Sequence, residues 1–308
     1  MKRRSLLALS FAMALTSWSQ GADKLKVLIV DGQNNHNWKV TTPVLVHALE
    51  SSGAFAVTVS TAPAKDAPKE QWDSWQPKFG DYAAVVSNYN GTDWPEALQK
   101  SFETYVQNGG GFVSVHAADN SFPKWKAYND MIGVGGWGGR NEASGPWLYV
   151  KEGKLFRDPV AGNGGAHGAQ HEFVVEMQNA EHPITKGLPK TWMHAKDELY
   201  SKLRGPAANI EILSASKSDL TSELEPNTMV LSYGKGRVFH TTLGHADYSM
   251  LDRGFYLLLQ RGTEWVATGD VKACAAVPAD FPSADKVSVV TLAGYPQMQA
   301  PQPKPAAK

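Results

Sequence analysis

Gly109-Gly110-Gly111-Phe112-Val113-Ser114-Val115-His116 is the stretch that decides the fold. Gly111 to Val115 is a short apolar run without the alternation of a half-solvated strand, so it reads as a strand buried on both faces, as in parallel sheets. Upstream, Asp93 caps a helix that Pro95 opens, and Gly109 stands where a left-handed terminator belongs. Tyr82 to Val86 is the strand before that helix, and Ser87-Asn88-Tyr89-Asn90 follows it. Lys26 to Val30 repeats the pattern and ends at Asp31-Gly32. A loop with His36 and Trp38 leads to a helix capped by Thr41 or Thr42, with Pro43 in its first turn, that runs to Gly53; Val57 and Val59 mark another strand. Strands alternating with helices at this spacing predict βαβ units: a single α/β domain with a central, mostly parallel sheet flanked by helices, flavodoxin-like in outline.

Downstream the texture changes. Gly133 to Gly168 is rich in glycine and interleaved with Trp137, Arg140, Trp147 and Tyr149, which predicts an inserted lid or wall rather than a linker. Phe173 to Val175 and Ile210 to Leu213 read as strands, and Met229 to Tyr233 with Arg237 to Thr242 as a hairpin turning at Gly234-Lys235-Gly236. A final helix is expected from Asp252 to Ala267, closing a domain over 24–270. The extension 271–308 shifts to Ala, Pro and Lys, with a disordered tail expected from Pro301. The single cysteine, Cys274, falls in this peripheral stretch, so Cys274→Ser is expected to leave folding and activity intact.

Residues 1–21 carry Lys2, Arg3 and Arg4 before an apolar run from Leu6 to Leu15, the order of a secretory signal peptide, which predicts a periplasmic or secreted protein. The run is short for a membrane span, so no membrane partner is expected. Thirty basic residues balance thirty acidic ones without a basic stripe, which argues against nucleic acid.

Parallel sheets bind ligands beyond the carboxyl ends of their strands. That directs attention to Asp31 to His36, Asn88 to Asn90, and His116 to Asn120. His116 occupies the strand-end position that holds a serine or cysteine nucleophile in elbow folds. A histidine there serves as an acid, a base or a metal ligand, not as an acyl acceptor. His245 follows another strand end, in Leu243-Gly244-His245, and Asp197-Glu198 supply adjacent carboxylates. His116, His245, Glu198 and Asp197 are the candidate catalytic groups. His36, His116 and His245 come from three strand ends and suit a divalent ion such as zinc or manganese, and they suit a metal-free acid–base site equally. Asn90, Asp119, Trp137, Arg140 and Tyr200 are the candidate substrate contacts, Arg140 as an anion or hydroxyl anchor. His167, His171 and His194 read as structural or surface residues.

Several segments together resemble the ThuA-like, or trehalose-utilisation, family: His36, Val115-His116-Ala117-Ala118, His182-Pro183 with Gly187-Leu188-Pro189, Asp197-Glu198-Leu199-Tyr200, and Gly236-Arg237-Val238-Phe239 leading to Leu243-Gly244-His245. The resemblance spans Lys26 to Val271 and implies a fold similar to class I glutamine amidotransferases. It also implies a role in carbohydrate catabolism, where such proteins are associated with 3-keto sugars. The amidotransferase cysteine is absent, so glutamine hydrolysis is not implied. A small carbohydrate is the expected partner. Its chemistry is a cleavage or transformation of an oxidised glycoside, against the alternative of a non-catalytic carbohydrate- or partner-binding protein.

Overall fold

The computed structural model describes residues 23–292; the segment 1–21 expected to be a signal peptide and the tail expected from Pro301 lie outside the described residues. Its first part is built from β1 (Leu25–Asp31), α1 (Trp38–Glu50), β2 (Phe55–Thr61), α2 (Lys69–Ser74), β3 (Ala84–Ser87), α3 (Glu96–Gln107), β4 (Gly111–Val115) and α4 (Lys126–Ile132). The inserted and returning strands are β5 (Trp147–Lys151), β6 (Lys154–Asp158), β7 (Ala166–His167), β8 (His171–Met177), β9 (Thr191–Asp197), β10 (Tyr200–Ser201), β11 (Glu211–Lys217), β12 (Leu224–Tyr233) and β13 (Gly236–Thr241), followed by α5 (Asp247–Met250) and α6 (Arg253–Thr268).

Strands β2-β1-β3-β4-β13 lie side by side and parallel. The sheet continues antiparallel through β12, β11, β8 and β9, and the β5–β6 hairpin attaches to β12. Successive side chains of a strand point to opposite faces, which explains the unbroken apolar runs. Leu28, Val30, Val85 and Phe112 pack with Phe102, Val106 and Tyr128 on one face. Val27, Ile29, Val86, Val113 and Val115 pack with Leu45, Leu49, Leu258 and Val266 on the other.

Two helix starts differ from expectation. α1 begins at Trp38, a turn before Thr41 and Thr42, and Pro43 lies inside it. The two threonines instead brace the sheet, because each hydroxyl accepts a 3.0 Å hydrogen bond from Asn88 Nδ2, which ties α1 to the end of β3. At α3, Pro95 takes the cap position itself and Asp93 makes no cap. α6 starts as expected, with the Asp252 carboxylate accepting from Phe255 N at 3.0 Å.

The inserted segment is fastened from within by Arg140. Its guanidinium donates to the carbonyls of Gly136 (2.8 Å), Asn120 (3.1 Å) and Ser121 (2.7 Å) and to Asn129 Oδ1. The side chain is buried and its donors are committed to the fold, which corrects its reading as a substrate anchor.

The segment after α6 also departs from expectation. Cys274 is buried in the same core as Val290 and Leu258 rather than peripheral. Glu264 accepts the N–H groups of Lys272, Ala273 and Cys274, and Arg261 donates to the carbonyl of Cys274. Burial and the nearby Glu264 carboxylate push the thiol up to about 12. The native protein should therefore resist a disulfide-exchange thiol reagent at pH 8 and react only after unfolding in guanidinium; rapid labelling of the native state would contradict this burial.

Glu225, on β12, is also buried and accepts from Trp147 Nε1, Thr221 Oγ1 and Lys202 N, yet burial raises its carboxyl to about 7. A folded-state value above the unfolded one gives stability that is full below about pH 4.5 and is lost as the pH rises through 7, on the order of 3 kcal/mol. Melting temperatures between pH 4.5 and 8 should fall for the wild type and stay flatter for Glu225→Gln. A gap between the two that does not change with pH would contradict the assignment.

Candidate functional site

Four chain segments converge where the parallel half of the sheet ends. After β1, His36 is steadied by Asn34, whose Oδ1 accepts from His36 N at 2.9 Å. His116 follows β4 directly with φ 46°, a left-handed conformation that costs a non-glycine residue on the order of 1 kcal/mol or more and bends the chain sharply out of the sheet. His245 follows β13 after Gly244, whose φ of 109° is a glycine conformation. Glu198 follows β9.

Their side chains meet. Glu198 Oε2 lies 3.0 Å from His245 Nδ1, 3.8 Å from His116 Nε2 and 3.9 Å from His36 Nε2. One donor atom from each of the four residues falls within 4.8 Å of all the others. His116 Nδ1 is 2.6 Å from the Thr242 carbonyl, which can only accept, so Nδ1 carries the proton and Nε2 presents a lone pair. Neither His116 Nε2 nor His245 Nδ1 has a hydrogen bond of good geometry, although both are buried and face the same carboxylate oxygen. Burial, and then the neighbouring rings of His116 and His245, push His36 down to about 3, and burial lowers His116 too. Burial alone would raise Glu198; the adjacent His245 ring, with His116 and His167, outweighs it and holds the carboxyl below its ordinary value. Imidazole nitrogens beside a carboxylate form the donor set that divalent metals select.

Asp197, next in the chain to Glu198, does not reach the cleft. It is buried, and its carboxylate accepts the N–H groups of Glu198 (2.8 Å), His245 (2.9 Å) and Gly244 (2.7 Å). His194 Nε2 lies 2.8 Å from Asp197 Oδ2, and its Nδ1 lies 3.2 Å from Asp252 Oδ1. Burial disfavours the imidazolium, but Asp252 and Asp197 overcome this and raise His194 to about 10. Burial would likewise raise Asp197, and the His194 hydrogen bond and charge, with the Gly244 N–H, bring it to about 2. Asp197 is thus a positioning residue and His194 its counter-ion, a partnership that depends on how β9 is placed. Asp119 is similarly buried, 3.3 Å from His240 Nε2, and is not among the residues that line the cleft.

The cleft has two lobes that share Asn35 and His36. One, of about 430 Å³, is lined by Asn90, Asn120, Trp137, Gly138, His167, Glu198 and Tyr200. The other, of about 320 Å³, is lined by Asn37, Val40, Thr41, His245, Ala246, Asp247 and Tyr248. Of the residues singled out from the sequence, His36, Glu198, Asn90, Trp137 and Tyr200 line the first lobe and His245 the second, while His116 packs against Tyr200, the ring centroids 4.3 Å apart and the planes tilted by 33°. Trp137 is presented through a close approach at Gly165, where a Cβ would fall 2.7 Å from Trp137 N. His167 reads as structural or surface in the sequence, yet its ring lines the first lobe 3.7 Å from Glu198 Oε1. The local signal is weak, since β7 is two residues long and exists through its pairing with β10.

Asp197→Asn leaves the His194 imidazolium half-compensated and weakens the anchor of two site residues. Chemical denaturation should show a loss of about 3–5 kcal/mol, against less than about 0.5 kcal/mol for Asn90→Ala on the cleft wall. Equal effects of the two substitutions would contradict the positioning role.

With the geometry in place, comparison with known proteins gives its lineage. No curated protein matches the chain. The crystal structure of a ThuA-like protein from Parabacteroides merdae is 45% identical, covers 87% of this chain and 98% of its own, and superposes with a TM-score of 0.84. A ThuA-like protein from Bacteroides uniformis, 19% identical, covers 88% of this chain and 100% of its own with a TM-score of 0.54, a likeness of fold. These relatives share the glutamine amidotransferase-like α/β architecture expected from the sequence. The ThuA family model, described as trehalose utilisation, matches residues 26–266, and the chain belongs to that family.

Proposed function

We propose that this protein is an exported enzyme of carbohydrate metabolism whose reacting centre is His36, His116, Glu198 and His245, acting on a 3-keto glycoside. The observation that carries the reading is the convergence of three imidazoles and one carboxylate where the two lobes of the cleft meet. The family's description supports a carbohydrate, and the basic and apolar order of residues 1–21 supports export to the periplasm or medium.

The donor set fits a divalent ion such as zinc or manganese. Tetrahedral ligands about 2.1 Å from a centre stand roughly 3.4 Å apart, so the four groups need only small side-chain rotations to close on one. The unpartnered lone pair of His116 Nε2, with Nδ1–H held by a carbonyl, is the arrangement in which a histidine ligates. When bound, such an ion supplies Lewis-acid polarisation of a carbonyl oxygen.

The chain's own residues bind and orient. Trp137 offers a ring face to a sugar, and Asn35, Asn90 and Asn120 offer amides to its hydroxyls. The second lobe leaves room for the group on the other side of the glycosidic bond. A 3-keto group acidifies the C2–H. A base removes that proton, the C–H electron pair becomes the C1=C2 bond, and the C1–O pair departs with the leaving oxygen, which takes up a proton. Hydrolysis with Asp197 and Glu198 as the two opposed carboxylates has less support, because Asp197 is buried and bound to backbone N–H groups.

Incubation with methyl α-glucoside and its 3-keto form tests the reading. Turnover of the 3-keto form alone is expected, with about one equivalent of zinc or manganese by elemental analysis, and His116→Ala should lower kcat by at least about 100-fold. Binding without turnover, unchanged in His116→Ala, would favour a carbohydrate-binding protein instead.

A further inference from the structure

We propose that His167 is the base that removes the substrate proton in the polar lobe of the cleft, an inference that rests on the sugar-directed reading above. Two imidazoles line that lobe, and His36 is one of the four converging groups. His167 is the other. Its Nδ1 lies 2.9 Å from the Gly168 carbonyl, and a carbonyl oxygen can only accept, so Nδ1 carries the proton. The neutral ring then holds its lone pair on Nε2, which no hydrogen bond among the described residues occupies. The side chain is 38% exposed, so a substrate in the lobe can reach it.

The surroundings set His167 apart from the cluster. Glu198 Oε1 is 3.7 Å from Nδ1, while Oε2 of the same carboxylate faces the three other histidines, so the ring lies beside the four converging groups without being one of them. The backbone at His167 is held by its pairing with Tyr200 across β7 and β10, and the Trp137 ring centroid stands 5.9 Å from that of the imidazole. In the step proposed, Nε2 takes H⁺ from C2, the C–H pair forms C1=C2, and the C1–O pair leaves on the departing oxygen, which is protonated by water. The imidazolium returns its proton to solvent.

In the full-length protein, His167→Ala should lower kcat on methyl 3-keto-α-glucoside by at least about 100-fold with KM within about threefold, leave metal content unchanged, and recover partly with added imidazole. It should also abolish exchange of the substrate C2 hydrogen with D2O. A variant with wild-type kcat would overturn the proposal while leaving the function intact, and loss of metal would make His167 a structural support instead. Absence of turnover in the wild type would sink the function itself. In that case nitrogen-15 NMR of the histidines decides: the Nδ1–H tautomer with an Nε2 signal that moves on adding the keto sugar is expected, and an Nε2–H tautomer or an unmoved signal overturns the assignment.

Discussion

The site depends on one buried carboxylate that never touches the cleft. Asp197 accepts the backbone N–H groups of Gly244, His245 and Glu198 while balanced by His194, itself braced by Asp252. A buried charge is tolerated only when paired and saturated with hydrogen bonds, and here two of the donors that saturate it, Glu198 N and His245 N, belong to residues of the cluster. The end of β9 and the loop after β13 are thus drawn to one point. The parallel half of the sheet supplies the remaining pair, His36 after β1 and His116 after β4.

His116 shows how the fold converts a strand end into a site. Its left-handed backbone lifts the chain out of β4, as a nucleophile elbow would, but the side chain raised there is an imidazole fixed by the Thr242 carbonyl. A sharp bend at this position presents whatever residue it carries, and in this glutamine amidotransferase-like fold that residue is a histidine. The lobe beside it is walled by the inserted segment, which Arg140 fastens to the loop after β4.

Much of this is legible in the sequence, for physical reasons. Fully buried strands leave continuous apolar runs, and the rule that ligands gather at strand ends points to His36, His116 and His245 from the sequence alone. What escapes is whatever depends on pairing rather than on period. The returning antiparallel strands β8 and β9 are half-polar, so Asp197 reads as a cleft carboxylate beside Glu198, although burial turns it inward. Arg140 and Asp119 read as substrate contacts in loops, and both are spent inside the fold. His167 sits among glycines that suppress any local signal, and only its partner strand β10 brings it to Glu198. Cys274 follows a change of composition that looks like the end of the core, whereas three backbone N–H groups bound to Glu264 return the chain to it.

On the function proposed above, His36, His116, His245 and Glu198 form one divalent-metal centre at the junction of the two lobes. Anomalous diffraction from crystals of the protein, collected on both sides of the zinc and manganese absorption edges, tests this most directly. A single strong peak within about 2.1 Å of nitrogens from all three histidines and of a Glu198 oxygen is the predicted result. No peak there in crystals grown with either ion present, or a peak held by other residues, would contradict it.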